Sequence, residues 1–479
     1  MASNPSTTPK LFFDKGTICI EGSKLTRIPD TKYDDRTKVL RSYGLNYSEI
    51  IEYLKKSDLD FIDHVPNFIP SPKLQMRGLE LRDYQKQAIE NWEKSSLKGC
   101  VILPTGAGKT AIGIKAIQKV NASTLVVVPT IDLMEQWAHN ISKYLFANNN
   151  NSQNMIIGKL GGGKDNLQAI TVATYDSAYL RASTIGNQFK FIIFDEVHHL
   201  PAPGYRSIAE QFIAPYRLGL TATIEREDEL QELIPYLTGG VVFHLGPQEL
   251  SAQKHLAEHT IDRIQVNLTP EEQKEYELNN SKFLTNLRQL GFRVPSRYNL
   301  RRLIMMSNRN KIAREAILAR NKANEIALNS KAKIDELQKI LQQNKKTKTI
   351  IFTQNNKMVY ELSNRFLIPF ITYKTIKDER RDIIEGFKSG RYNVVVTSRV
   401  LDEGVDVPDA ELGIIVSGTG SGRELIQRLG RLLRPKQDGR KARLIELVSK
   451  HTRETNTSAK RITALQRNSA AYTSPSHEN

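Results

Sequence analysis

Three groups of residues have the types and spacing to do chemistry. The first runs through Pro104, Thr105, Gly106, Ala107, Gly108, Lys109 and Thr110. It follows an apolar run, Gly99–Leu103, and opens a helical pattern, which is the setting of a phosphate-binding loop. Glycines let backbone N–H groups turn toward phosphate oxygens, and the helix N-terminus adds the positive end of its dipole. Lys109 can reach β- and γ-phosphates, and the Thr110 hydroxyl can ligate Mg2+. The strict pattern starts on glycine where this chain has Leu103, but the cradle of amides is complete from Gly106 to Thr110.

The second group is Asp195 and Glu196, delivered by the apolar run Phe191–Phe194 and followed by Val197 and His198. The C-terminal edge of such a strand is where open α/β sheets bind ligands. Asp195 is suited to hold Mg2+, directly or through water. Glu196 is suited to position and deprotonate an attacking water. Adjacent carboxylates are often only a solvated strand end, but these follow the phosphate loop at the spacing of one α/β domain. His198 and His199 have no third ligand nearby in the sequence and do not read as a zinc site. The third group, Gln427, Arg428, Arg431 and Arg434, puts arginines three apart, near one helix face. Arginines at a γ-phosphate can supply roughly 10³–10⁵ in rate; the same run could instead lie on nucleic acid.

These groups need rigid sheets to hold them. Val- and Ile-rich runs at Gly99–Leu103, Thr124–Val128, Ala169–Ala173 and Phe191–Phe194 alternate with helical stretches such as Ile131–Leu145. A second set follows at Thr349–Phe352, Asn393–Thr397, Leu412–Val416 and Arg443–Leu447. Continuous apolar runs predict parallel strands buried on both faces, so the fold class is α/β with two doubly wound domains in tandem. The expected organisation is a small N-terminal unit (1–75), a first α/β domain (76–240), a second (241–452) with a helical insert at about 268–325, and a disordered polar tail (453–479). In the small unit, strands Lys10–Phe13 and Thr17–Glu21 precede a helix, Tyr47–Lys56.

Charge narrows the partners. Lys and Arg outnumber Asp and Glu by 69 − 52 = 17, which favours a polyanion: nucleic acid, or an anionic membrane surface. Between Ser281 and Arg320 ten basic residues, Arg301 and Arg302 among them, face one acid, Glu315. That block reads as a phosphate-backbone contact or, more blandly, a solvated helix face. No apolar run approaches the ~20 residues of a membrane span, and the polar start, Met1–Lys10, is unlike a signal peptide. Cys19 and Cys100 form no Cys-x-x-Cys pair, which disfavours thiolate metal sites and fits a reducing cytoplasm.

The motif set resembles the superfamily 2 helicases of the DExH type. Pro104–Thr110, Asp195–His198, Leu220–Thr223 and Gln427–Arg434 stand in that family's order. Val127–Thr130, Thr174–Ser177, Ile351–Thr353 and Thr397–Asp406 fill the remaining slots, so the resemblance covers roughly 79–436. It implies two RecA-like motor domains that hydrolyse ATP with Mg2+ at a shared cleft. Arg82 and Gln85 match the adenine-recognising segment. Thr221 and Thr223 match the element linking ATP state to domain motion. Thr130, Thr174, Thr353 and Thr397 match contacts to the tracked strand. Gly404 and Asp406 match nucleotide-side contacts of the second domain, and Gln427, Arg431 and Arg434 match γ-phosphate sensors.

Three further features resemble the XPB family in its shorter archaeal form. Arg226, Glu227 and Asp228 follow the Leu-Thr-Ala-Thr motif. The basic insert is similar to a thumb, and the N-terminal unit, with Tyr33–Thr37 and Leu45–Leu54, is similar to a damage-recognition domain. The resemblance implies a 3′→5′ DNA helicase or translocase of nucleotide excision repair, cytoplasmic, acting on duplex, forked or bubble DNA. The long extensions of eukaryotic XPB are not seen, so a structure-specific nuclease, rather than transcription factor IIH, is the expected partner. The motifs alone leave open an RNA helicase or the motor subunit of a restriction system.

Overall fold

The structure is a computed structural model. It describes residues 8–22, 28–147, 157–224, 226, 228–246, 249, 259–292, 296–398, 410–418 and 442–459. The chain divides into two compact units, Met1–Glu249 and Leu250–Asn479.

The first unit is organised by an eight-stranded sheet. Its order is Lys164–Asn166, Gly158–Gly161, Ile170–Thr174, Thr124–Val128, Phe191–Asp195, Tyr216–Thr221, Lys98–Ile102, Val241–His244. Its pairings are parallel except for the hairpin Gly158–Gly161/Lys164–Asn166. Thr124–Val128, Ile170–Thr174 and Phe191–Asp195 are buried along their whole length, which is why they read as unbroken apolar runs. The hairpin escapes such a reading because Lys164–Asn166 is fully exposed and polar. Tyr216–Thr221 lies between Lys98–Ile102 and Phe191–Asp195. The C-terminal edges of three neighbouring strands therefore carry, side by side, the phosphate loop, Thr221 and the two carboxylates.

The N-terminal unit is a five-stranded sheet, ordered Lys32–Asp34, Val39–Tyr43, Thr17–Glu21, Lys10–Asp14, Ile62–His64, with the helix Tyr47–Lys56 packed on it. Ile50 and Leu54 of that helix pack with Leu11, Ile18 and Ile20. Ile213, from the larger sheet's domain, is buried in the same cluster. The approach there is close: a Cβ on Gly44 would lie 2.3 Å from the Gln211 carbonyl oxygen, so glycine is required. Backbone bonds from Asn67 N–H to Asn187 O (3.0 Å) and from Ile69 N–H to Gln188 O (2.9 Å) complete the seam.

Arg217 anchors the loop beneath that seam. It is 2% exposed and donates to the carbonyls of Phe212 (2.7 Å), Ala209 (2.9 Å), Leu237 (3.0 Å) and Ala214 (3.1 Å). Burial pulls its guanidinium down to about 10, so it remains charged at neutral pH. Four carbonyl dipoles stand in for a carboxylate partner.

The second unit has a six-stranded parallel sheet, ordered His259–Val266, Ala442–Ser449, Leu412–Ile415, Thr349–Phe352, Val394–Thr397, Phe370–Ile371. Helices Pro270–Gln289, Arg297–Met306 and Lys311–Leu328 form the basic insert. Thr269 and Glu272 make a capping box that starts the first of them. Ala313, Ala316 and Ala319 give the third a small-residue face that packs with Phe283, Leu287 and Leu303. No helix among the described residues is long and apolar enough to cross a membrane.

One sequence expectation is corrected here. The tail was expected to be disordered from 453, but residues 453–459 are helical. Its polar side chains are satisfied internally. Glu454 accepts two 2.7 Å bonds from Lys333 Nζ, which also donates to the Val416 carbonyl at 2.9 Å. Ser458 Oγ donates to Glu446 at 2.5 Å. Lys333 and Glu454 are 0% and 2% exposed as side chains. Removing one member of a buried ion pair strands the other, at a cost of about 3–5 kcal/mol. Lys333→Met should therefore destabilise the second unit strongly in urea titration, whereas Lys333→Met combined with Glu454→Leu should recover most of the loss.

Candidate active site

The strand Lys98–Ile102 is continued by Leu103, whose N–H donates to the Thr221 carbonyl (2.9 Å). The chain then folds back through Gly106 (φ +86°) and Gly108 (φ +77°) before the helix Lys109–Val120 begins. Positive φ at both positions is ordinary for glycine and costly for other residues. Tyr84 Oη and Gln85 Nε2 both donate to the Ala107 carbonyl, at 2.8 and 2.9 Å, and Gln85 also reaches the Gly108 carbonyl at 3.3 Å. A Cβ on Gly108 would lie 2.5 Å from Gln85 Nε2. The other end of the Gln85 amide accepts from the Arg82 N–H (2.9 Å), and the Arg82 guanidinium donates to Tyr84 Oη (3.2 Å). Gln85, expected to read adenine, here has both ends of its amide engaged and braces the loop from behind.

The loop fits a polyphosphate. Two glycines keep the cradle free of side chains in front of a helix N-terminus. Thr105 Oγ1 is buried without a hydrogen-bond partner among the described residues. Lys109 Nζ is held by the Leu103 carbonyl at 3.2 Å, a neutral partner at the mouth of the loop.

Opposite stands Asp195, 6% exposed at the end of its strand. Trp137 Nε1–H donates to its Oδ2 at 2.7 Å, the Glu196 N–H donates to its Oδ1 at 3.1 Å, and Tyr175 Oη donates to its carbonyl at 3.2 Å. Burial, and then the charge of Glu196, push the Asp195 carboxyl well above the usual carboxylate range, against the pull of Trp137 and Lys109. Glu196 has φ +49°, a left-handed conformation that a non-glycine residue holds only under constraint. Its Oε2 lies 3.4 Å from His198 Nδ1 and 3.5 Å from Thr221 Oγ1. His198 Nδ1 and Thr221 Oγ1 are 3.0 Å apart, and Thr221 Oγ1 donates to the Thr223 carbonyl at 2.7 Å. Since that short bond uses the single hydroxyl proton, the histidine donates from Nδ1 to the Thr221 oxygen.

Arg226 lies beyond His198. Its Nε and Nη2 donate to the two carboxylate oxygens of Asp228, at 2.8 and 2.6 Å, and its Nη1 donates to the His198 carbonyl. Only 13% of the side chain is exposed. The Arg226 guanidinium holds the Asp228 carboxyl down, to about 2. The sequence expectation for Arg226 and Asp228 is a nucleic-acid contact; in the structure the exposed Asp228 grips the Arg226 guanidinium, and Arg226 alone turns onto the His198 carbonyl in the turn after Glu196.

Of the residues expected at a tracked strand, Thr130 and Thr174 stand at helix N-termini. Their hydroxyls cap the helices Ile131–Tyr144 and Tyr175–Ile185, accepting from Leu133 N–H (3.2 Å) and Ser177 N–H (3.3 Å). Thr353 and Thr397 depart from the expectation. Both are fully buried, and their hydroxyls donate to the carbonyls of Asn355 (3.0 Å) and Ser398 (2.9 Å), so they shape the turns after their strands. Arg301 and Arg302 are exposed, with the Arg302 guanidinium over Phe292 and Tyr298 at 5.5 and 5.8 Å. Other members of the basic block are spent locally. Lys282 pairs with Glu315 at 3.4 Å, and Arg314 donates to the carbonyls of Ser307 and Asn308. Glu227, Gly404, Asp406, Gln427, Arg431 and Arg434 lie outside the described residues. Sequence reasoning missed Trp137, Tyr84 and Tyr175, since nothing in local spacing reveals which aromatic will meet a carboxylate 58 positions away.

A phosphate loop and paired carboxylates on one parallel sheet, joined in sequence to a second parallel-sheet unit, define a nucleoside-triphosphatase motor of the helicase class. Family models agree: Type III restriction enzyme, res subunit, matches 78–226; the helicase conserved C-terminal domain matches 332–436; and the Xeroderma pigmentosum group B helicase damage recognition domain matches 11–65. The "DNA 3'-5' translocase XPB2" of Sulfurisphaera tokodaii is 43% identical, over 90% of this chain and 96% of the relative. The "Putative DNA 3'-5' helicase Rad25" of Haloarcula marismortui is 31% identical over 78% of this chain and 53% of its own length. The "DNA 3'-5' helicase XPB" of Mycobacterium tuberculosis is 30% identical, with coverages of 83% and 66%. The crystal structure of the Pyrococcus furiosus Hef helicase domain shares the fold (TM-score 0.51, 20% identity, 79% of this chain and 97% of that one). The chain belongs to the XPB helicase family.

The Asp195 environment carries a pH prediction. Its folded value lies above the ordinary 3.8, so ionising it opposes folding. The associated stability is complete below the ordinary value and lost as pH rises through the raised one. Asp195→Asn should therefore raise the melting temperature of the metal-free protein at pH 8 and have little effect at pH 4, as read by calorimetry in EDTA; an equal change at both pH values would contradict the assignment.

Proposed function

We propose that this chain couples ATP hydrolysis to 3′→5′ translocation along DNA and to its opening, in DNA repair. The observation that carries the proposal is the juxtaposition, on three adjacent strand ends, of a glycine-built phosphate cradle, Thr221, and the Asp195–Glu196 pair. The relatives named as DNA 3'-5' translocases and helicases support the polarity and the substrate. A structure-specific nuclease is the proposed protein partner, on family resemblance alone. A relative from Saccharomyces cerevisiae is named instead as a subunit of the general transcription and DNA repair factor IIH.

In this reading the amides from Gly106 to Thr110 bind the phosphates of ATP. Lys109 exchanges the Leu103 carbonyl for phosphate oxygens, a stronger, charge-assisted partner. Mg2+, which Thr110 and Asp195 would hold, shields phosphate charge. Glu196 Oε2 orients the attacking water and takes its proton, and the His198 ring, itself held on Thr221, stands beside that carboxylate. Trp137 keeps Asp195 in an accepting orientation. Thr130 and Thr174 mark helix N-termini where a phosphodiester backbone is favoured. Gln427, Arg431 and Arg434 are assigned to the γ-phosphate from their sequence alone.

Glu196→Gln should bind ATP with near wild-type affinity yet lose turnover by about 100-fold or more, and Lys109→Ala should lose DNA-stimulated hydrolysis altogether. Wild-type turnover in Glu196→Gln would sink the proposal, and equal stimulation by matched RNA would remove DNA as the specific substrate. Charge reversal at Arg301 and Arg302 should weaken DNA binding and flatten the slope of log affinity against log salt by about one to two, measured by anisotropy in a salt series.

A further inference from the structure

The inward orientation of Arg226 has no role in a purely DNA-facing account of the Arg226–Asp228 element. The turn Val197–His199 is a single 3-10 turn following the left-handed Glu196. Bonds inside the turn run from His199 N–H to Glu196 O (3.0 Å) and from Leu200 N–H to Val197 O (2.9 Å). They close it locally, but they do not tie it to the neighbouring strand end. Among the contacts that do are the His198 ring on Thr221 and the His198 carbonyl, which receives Arg226 Nη1. Arg226 follows Thr221 by five residues, and so belongs to the segment leaving the strand beside that of Asp195. Its guanidinium is in turn fixed in the fork of Asp228.

From this geometry we infer that Arg226, oriented by Asp228, is a positioning residue for ATP hydrolysis. It clamps the peptide two residues after Glu196, and thereby sets where Glu196 Oε2 stands relative to Thr221 and His198. The physical argument is one of strain and leverage. A non-glycine residue in the left-handed region is strained and persists only where its surroundings over-determine it. Arg226 supplies one of those determinants with a charge-assisted bond, and a planar forked guanidinium transmits orientation in a way a flexible ammonium cannot. The element downstream of Thr223 thus reports directly to the catalytic carboxylate. Anything that draws Arg226 away from His198 relaxes the turn and slows hydrolysis without touching the phosphate loop.

The inference rests on the ATPase reading above, and its test separates the two. Steady-state hydrolysis is measured with and without DNA for Arg226→Ala, Arg226→Lys, Asp228→Asn and Lys109→Ala. Binding of a fluorescent ATP analogue and of single-stranded DNA, without ATP, is measured alongside. Displacing a catalytic group by around 1 Å costs up to about 100-fold, so Arg226→Ala should lower kcat about 10- to 100-fold even without DNA. Nucleotide and DNA affinities should be unchanged. Arg226→Lys should recover part of kcat, because it can still donate to the carbonyl, and Asp228→Asn should show a smaller loss of the same kind. A wild-type kcat without DNA in Arg226→Ala would overturn the inference. So would a loss confined to the DNA-stimulated rate with weakened DNA binding, which would make Arg226 a nucleic-acid contact. Should Arg226→Ala fail to fold, wild-type kcat in both Arg226→Lys and Asp228→Asn overturns it equally. If Lys109→Ala hydrolyses ATP normally, the ATPase reading itself falls; if only Arg226→Ala is normal, that reading stands.

Discussion

The left-handed backbone of Glu196 is the constraint on which the site depends. The residue must leave a buried strand and swing its carboxylate back over the strand ends within one residue, and an extended or helical φ would carry the side chain elsewhere. Such a conformation costs roughly 1–3 kcal/mol. The protein meets that cost with a converging set of contacts: the Glu196 N–H bonded to Asp195, the His198 ring held on Thr221 beside the carboxylate, and the Arg226 clamp on the His198 carbonyl. Asp195 and His198 lie on the segment of Glu196 itself, whereas Thr221 and Arg226 come from the neighbouring strand and the segment leaving it. The geometry is therefore a property of the sheet's register.

The same logic explains why so much buried charge is tolerated. Arg217 and the Lys333–Glu454 pair occupy places where an apolar residue would pack at lower desolvation cost. What each contributes is direction. Arg217 ties the carbonyls of Ala209, Phe212 and Ala214 to that of Leu237 in a separate helix, and the segment 209–214 presents Gln211 and Ile213 to the N-terminal sheet. Lys333 links a helix, the strand end at Val416 and the segment at 453–459. A hydrophobic contact has no preferred direction, whereas forked and multidentate hydrogen bonds fix one.

The bound state of the phosphate loop is likewise prepared by polar contacts made in advance. Tyr84 and Gln85 hold the carbonyls of Ala107 and Gly108. Lys109 rests on a neutral carbonyl, a partner weaker than any phosphate. Contacts fixed in advance of binding are how a preorganised site gains electrostatic stabilisation.

The sequence by itself determined the α/β class, four strands of each large sheet, and the consecutive residues of the phosphate loop and the carboxylate pair. These are local signals: a buried parallel strand must be continuously apolar, and a phosphate loop is written in consecutive residues. The same locality set the limits. The exposed strand Lys164–Asn166 and the helical segment at 453–459 are polar in composition and owe their order to pairing and ion-pair partners that no apolar pattern reveals. Only the tertiary structure decided that Trp137 would meet Asp195 and that Thr353 and Thr397 would turn inward. It likewise brought Gln85 to brace the loop and Arg226 to face His198. Each of these turns on strand order and register, which bring together residues separated by tens of positions, and no spacing within a single motif encodes that order.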